Sequence, residues 1–422
     1  MAFLRSLFAG VSGLKNHQLM MDVIGNNIAN VNTVGFKKGR VTFTDMFSQT
    51  LQNASQSSGT LGGKNPMQVG LGTSVGSIDM DATQGSFQST GMTRDMAIQG
   101  SAFFIVNQGG KTLYTRDGNV DFDTTGKLVN METGGVIQGK LADANGTIST
   151  GAALQNIVIR KDITSPAKAT TTASFAGNLD SNTPTGGTTQ TQQPVFDSLG
   201  AEHTMTVTFT KGAAVGSWTW AASVTPGTTA STGTIAFNSD GSLNAMTGNP
   251  VTITPGGGAA PMSVVLNVGI PSATAPGNNS GITQNSGNPT TPLSTVSPLT
   301  QDGWKSGVLT GVSVGPDGTI TGAFSNNQQL TLAQIMLADF NNPSGLSRVG
   351  GNEYDVSGNS GAATVIAAGA NSTIQTGVLE QSNVDLADEF TKMITAQRGF
   401  QASARIITVS DQFLEEVVAL KR

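Results

Sequence analysis

The chain has 422 residues with 22 Lys or Arg against 27 Asp or Glu, a net charge of −5. That length allows two to four domains with cores of their own, and no basic face is dense enough to track phosphates, which excludes a nucleic-acid partner. Cysteine is absent and the two histidines, His17 and His203, stand in different regions, which excludes a disulfide framework, a thiolate metal site and a multi-histidine metal site within one chain.

At the N-terminus Leu4, Leu7, Val11, Leu14, Met21, Ile24, Ile28 and Val31 recur mostly at three- and four-residue steps. The spacing predicts a helix over about Phe3–Ala29 with a narrow apolar stripe of the coiled-coil kind. Gly25 inside it costs about 1 kcal/mol relative to Ala, and the turn-favouring run Asn30–Gly35 ends it. The segment has no uninterrupted apolar core or cleavage site, so it is not read as a secretory signal. No stretch reaches the roughly 18 apolar residues of a membrane span, so no membrane insertion is expected. His17 falls on the polar side of this helix and reads as an ordinary surface histidine. Lys37, Lys38 and Arg40 form a basic cluster, either a solvated face or a charged contact with a neighbouring subunit. A mixed segment, Phe36–Leu51, leads into Gln52–Lys64, which reads as a flexible loop.

From Met67 to about Arg160 the pattern becomes strands, with Ala102–Val106 a buried one. Glycine is abundant, 54 residues, and aromatic content is only 5%, which fits thin cores and many turns. One device recurs as Phe122/Gly126/Leu128, Phe237/Gly241/Leu243 and Val314/Gly318/Ile320: a hairpin whose tight turn requires the positive φ of glycine. Two formal motifs dissolve on inspection. Gly311-Val312-Ser313-Val314-Gly315 matches a nucleophile elbow, but a β-turn follows where a helix is required. Gly70–Gly76 lacks the Lys-Ser/Thr and the helix of a phosphate-binding loop.

Near Ser165-Pro166 the composition shifts. Between Gly212 and Gln301 the only charged residue is Asp240, a pattern associated with exported β-domains; export without a signal peptide requires a dedicated route. A Pro/Thr/Ser-rich segment, Pro289–Pro298, closes this insert and strands resume near Trp304. Leu330–Asp339 reads as a strand or a short helix. After a Gly/Ala/Asn-rich connection a last helix starts at Ser382-Asn383, a plausible N-cap. Asp385, Asp388 and Glu389 in its first turns and Lys421-Arg422 at its end favour the helix dipole. An apolar residue falls at every seventh position, Leu386, Met393, Phe400, Ile407 and Leu414, with Phe390 and Val418 beside them.

The organisation is therefore nested and mainly β, with terminal α-helices: 1–72 and 372–422 a paired coiled-coil helical domain, 73–164 and 300–371 a β-domain, and 165–299 an inserted outer β-domain. Each stripe needs a partner, either within an intramolecular hairpin or on other copies. Gly10, Gly13, Gly25 and Gly399 point to close packing against other backbones.

Three segments also carry a family resemblance. DVIGNNIANVNTVGFKKGRVTFTDMF (Asp22–Phe47) and SNVDLADEFTKMITAQRGFQASARIITVSDQFLEEVVALKR (Ser382–Arg422) resemble the terminal signatures of the bacterial flagellar axial proteins, the rod and hook group. GMTRDMAIQGSAFFIVNQGGKTLYTRDGNVDFDTTGKLVN (Gly91–Asn130) is similar to their shared β-domain. The resemblance implies a non-enzymatic subunit without cofactors that polymerises into the short curved tube joining rod to filament, outside the cell, and transmits torque. It implies export through the flagellar type III apparatus without a cleaved signal, with Phe3 and Leu7 fitting the family's export-gate motif. The implied partners are copies of itself and the rod, hook-cap and hook–filament junction proteins. Asn26, Asn27, Asn30, Thr33, Gly35, Phe36 and Lys37 carry the family motif and are expected to form the bend and subunit contacts below the β-domains. Distal rod proteins of the group are expected to be much shorter and to lack the insert; a rod-type protein and a secreted adhesin are the other readings.

Overall fold

The computed structural model describes residues 2–56, 62–229, 231–271, 281–369 and 371–419, with the side chains of residues 2–4 outside that description. Phe3 and Leu4 fall among those side chains, and Lys421-Arg422 lie outside the described residues. A helix at each end frames a β-rich body: α1 spans Ala2–Ala29 and α2 spans Leu386–Ala419. The expected Ser382-Asn383 cap of α2 is corrected. Asp385 caps it, its Oδ1 accepting the backbone N–H groups of Ala387 at 2.9 Å and Asp388 at 3.3 Å. Asn383 is engaged elsewhere, accepting from the Lys38 N–H at 2.8 Å and donating to the Asp81 carbonyl at 2.9 Å.

The segment after α1 is a two-stranded ribbon. Gly39–Asp45 (β1) pairs antiparallel with Thr73–Met80 (β4), and Ser48–Gln52 (β2) with Met67–Gly70 (β3). The alternation of β1 is short, Val41 and Phe43 amid polar residues, and every residue of β2 and β3 is exposed. Within the expected loop Gln52–Lys64, Ser55 bridges Lys64, while residues 57–61 lie outside the description.

Contacts divide the chain into two compact units: Met1–Arg160 with Ser313–Thr321 and Thr331–Arg422, and Lys161–Val312 with Gly322–Leu330. The helices, expected as a separate domain, share the first unit with most of the expected β-domain, of which residues 161–164, 300–312 and 322–330 fall in the second. The expected insert 165–299 lies wholly in the second, which extends beyond it at both ends.

In the first unit the strand Phe103–Gln108 pairs with Lys111–Thr115, Val136–Leu141 and Gln329–Asp339. Phe103 to Val106 are all buried because this central strand is covered on both faces. Edge-to-face rings pack beside it: Phe103 on Phe340 (5.8 Å) and Tyr354 (5.7 Å), and Tyr114 on Phe340 (4.9 Å). Gln329–Asp339, open to either reading from sequence, is a strand. The C-terminal segment returns as Thr373–Thr376 beside Met96–Gln99 and Val378–Glu380 beside Phe87–Ser89, which delivers the chain to α2.

The second unit packs two sheets face to face. One is the antiparallel meander Thr188–Phe196, Glu202–Lys211, Ser217–Thr225, Thr232–Phe237, Leu243–Met246; the other centres on Thr172–Asn178 and Met262–Asn267. Strict alternation, seen in the inward Met205, Val207 and Phe209, sends one face of each strand into a core with Phe175, Trp218 and Trp220. Asp302 fastens its entry and exit segments: Oδ1 accepts from the Thr171 and Thr172 N–H groups at 2.8 Å each. His203 is buried here, Nε2 lying 2.9 Å from Asp197 and Nδ1 against the Pro226 carbonyl. The three recurring hairpins form their turns at Gly126, Gly241 and Gly318, with φ of +83°, +83° and +76°. Ser313 sits in the strand Gly307–Val314, followed by one of these turns.

Candidate assembly interface

The two helices pair antiparallel along a seam of small residues. A Cβ at Gly10 would stand 3.3 Å from Ile407, one at Gly13 2.9 Å from Ser403 Oγ, and one at Gly399 2.5 Å from the His17 ring. Each step forward along α1 is thus met by a step back along α2. On α2 the buried residues are Glu389, Ala396 and Ser410, with the half-buried Ser403 completing a seven-residue repeat. Met393, Phe400 and Ile407 of the expected stripe alternate with them, half-buried. Small and large side chains therefore interleave at the two seam positions of one heptad.

The expected stripe divides. On α1, Ile24 is buried, and Leu7, Val11, Leu14, Met21 and Ile28 are half-buried. On α2, Leu386, Phe390, Leu414 and Val418 are exposed, so α1 of the same chain does not cover them. Beyond Ser410 every described residue of α2 is exposed. Ile406, Val409 and Phe413, at i, i+3 and i+7, lie on a neighbouring face of α2 and are exposed, as are Phe390 and Ile394 toward its start and Val417, seven residues past Ser410. His17 is corrected too: it is half-buried in the seam, edge-to-face with Phe43 of β1 at 6.3 Å.

The family motif residues build a knot at the base of the helix pair. Asn27 clasps Gly39 through both its N–H (2.8 Å) and its carbonyl (2.9 Å) and donates to Glu389 at 3.0 Å. Asn30 donates to the Asn26 carbonyl and accepts from Thr33 at 3.1 Å, closing the last turn of α1. Gly35 follows with φ +66°, its α-carbon so close to the Arg116–Asp117 peptide that a Cβ would stand 2.8 Å away. Phe36 lies under the Arg348 guanidinium at 5.1 Å. Lys37 reaches Glu380 Oε1 at 2.7 Å and the Thr83 carbonyl at 2.7 Å, and Arg116 holds the other carboxylate oxygen at 3.2 Å.

Gly35, Phe36 and Lys37 are buried, so they hold the bend within one chain and are not available to a neighbour; the subunit-contact expectation is corrected for them. The basic cluster splits because the chain turns sharply there: Lys37 points inward, while Lys38 and Arg40 face Asp81 and Asp79 at 3.7 and 3.9 Å. Asn26 remains exposed, in a cleft of about 380 Å³ lined also by Asp22, Asp79, Ser344 and Arg348. Arg116, Glu380 and Glu389 were missed as site residues. Their only sequence signal is charge beside apolar strands or at a helix start, which solvated residues share.

Family models match along most of the chain. "Flagella basal body rod protein" covers residues 7–37, "Flagellar hook protein FlgE/F/G D1 domain" 97–173, "Flagellar basal body protein FlaE D2 domain" 163–304, and "Flagellar basal body rod FlgEFG protein C-terminal" 375–420. The flagellar hook protein FlgE of Treponema pallidum is 38% identical, covering 99% of this chain and 100% of the relative. That of Escherichia coli is 35% identical, covering 97% and 98%. The flagellar basal-body rod protein FlgG of Bacillus subtilis is 31% identical, covering 99% and 100%. The higher identities fall to hook proteins. The chain belongs to the flagellar hook protein FlgE family.

Proposed function

We propose that this chain is a structural subunit of the flagellar hook, not an enzyme, and polymerises with copies of itself into a curved tube that transmits torque. The observation that carries the reading is the apolar surface that α2 leaves exposed. Phe390, Ile394, Val409 and Val417 are large apolar side chains that their own chain leaves exposed, and such exposed apolar surface marks an interaction site. A second copy covers it with the same helices, and a head-to-tail contact that does not close propagates as a helical tube. The fully exposed β2–β3 ribbon, marginal as an isolated hairpin, gains its support in the same assembly. The charge-poor second unit supplies outer surfaces able to slide as the tube bends. Rod, hook-cap and junction proteins meet the ends of the tube, and the chain leaves the cell through the flagellar export apparatus, read at Phe3 and Leu7.

Immunogold electron microscopy with antibody against residues 165–299 tests the reading. Gold on a short curved segment between cell envelope and filament is the expected result. Gold scattered over the cell surface, with bare flagella, would overturn it.

A further inference from the structure

The two faces of α2 pose a choice of pairing. The inner face offers small or polar residues (Glu389, Ala396, Ser403, Ser410) between Met393, Phe400 and Ile407, whereas a neighbouring face offers Ala402, Ile406, Val409 and Phe413. That face carries large apolar side chains of its own, so apolar burial alone does not choose between the two. Turning α2 about its axis would bury that face instead.

We infer that His17 and Gly399 form a phase lock that selects the inner face of α2. Gly399 is the only glycine of α2, placed mid-helix where glycine is a poor helix former, so helix stability does not explain it. The His17 ring lies against the hydrogen face of its α-carbon: a Cβ would come within 2.5 Å of Cε1 and Nε2 and 2.9 Å of Cδ2. The ring has little room to yield, because Phe43 closes on it and its Nδ1 is buried. Arg398, Phe400, Gln401 and Ala402, which rotation would bring forward, all carry a Cβ. The imidazole fits one phase of α2 and rejects its neighbours, a steric form of specificity. Asn27 and Glu389 fix the base of the pair; His17 holds the phase further along, and Phe43 passes it to the ribbon.

The lock rests on pairing within one chain, so it stands or falls apart from the assembly reading. Since cysteine is absent, introduced pairs report the phase in dilute full-length monomer. Gly13→Cys with Ser403→Cys reports the inner face, because a Cβ at Gly13 lies 3.7 Å from Ser403 Cβ, near disulfide spacing. Gly13→Cys with Ala402→Cys reports the rotated one. The expected result is that His17→Ala shifts the ratio of the two yields toward the 13–402 product. Gly399→Ala abolishes the 13–403 product while His17 is present, and His17→Ala/Gly399→Ala restores it. Hydrogen exchange of Phe103–Gln108 checks that each variant keeps its fold. An unchanged yield ratio in His17→Ala, a full 13–403 yield in Gly399→Ala, or no restoration in the double variant would overturn the inference.

Discussion

Lys37 Nζ lies 2.7 Å from Glu380 Oε1 with both side chains at 1% exposure or less, joining the chain just after α1 to the chain just before α2. Arg116 shares the same carboxylate, so two buried cations depend on one anion. Burial, followed by the charge of Arg116, holds the Lys37 ammonium below the usual lysine range.

That imbalance predicts an order of damage. Glu380→Gln strands both cations and should cost the first unit about 3–5 kcal/mol; Lys37→Met leaves Glu380 paired with Arg116 and should cost less. Both tyrosines lie in the first unit and all three tryptophans in the second, so tyrosine and tryptophan signals in urea follow the units separately. The account requires the Glu380→Gln shift in the tyrosine transition, larger than that of Lys37→Met. Equal losses would contradict it.

The second unit should carry an acid limb. Burial acts to raise the Asp302 pKa, but hydrogen bonds from the Thr171 hydroxyl and the Thr172 and Thr171 N–H groups outweigh it and bring it to about 2, against 3.8 unfolded. A depressed carboxylate pKa stabilises the fold above the unfolded value, and this is lost as pH falls through about 2. Partial exposure screens the effect. Tryptophan fluorescence should show stability falling between those values, and Asp302→Asn should flatten that limb. An unaltered limb in the variant would refute the assignment. Asp117 in the first unit has the opposite sign: burial raises its pKa, so its contribution is present at low pH and lost as pH rises through the folded value.

In free monomer the outer end of α2 should open first. Residues 411–419 are all exposed, whereas Phe103–Gln108 sits in the covered centre of its sheet. Hydrogen exchange should be fast over 411–419 and slowest over Phe103–Gln108. Equal protection of the two would contradict this.

Much of the architecture was legible because periodicity carries it. The helix stripes, the 103–108 core strand and the Gly126, Gly241 and Gly318 turns follow from apolar spacing and glycine placement. Only half of the ribbon was legible: β3 and β4 fall in the stretch read as strands from Met67, whereas β1 and β2 lie in the mixed segment before it, where β2 has no buried face to impose a pattern. The α2 cap was misplaced because Asn383 and Asp385 are both good caps, and only the tertiary pull of Lys38 and Asp81 on Asn383 decides between them. His17 read as a surface residue because its burial depends on Gly399, distant in sequence. Heptad spacing located the stripe of α2 but not which of its members meet α1.

The most direct test of the assembly account is polymerisation of Val409→Asp/Val417→Asp, followed by sedimentation and electron microscopy. Phe400→Asp strikes the seam itself and should lose helix pairing and assembly together, so it cannot separate the two. The double variant changes only exposed positions, where substitutions usually shift stability by no more than about 0.5 kcal/mol. The account predicts a monomer with unaltered helix content that forms no tubes. Tubes of normal yield and curvature would contradict it.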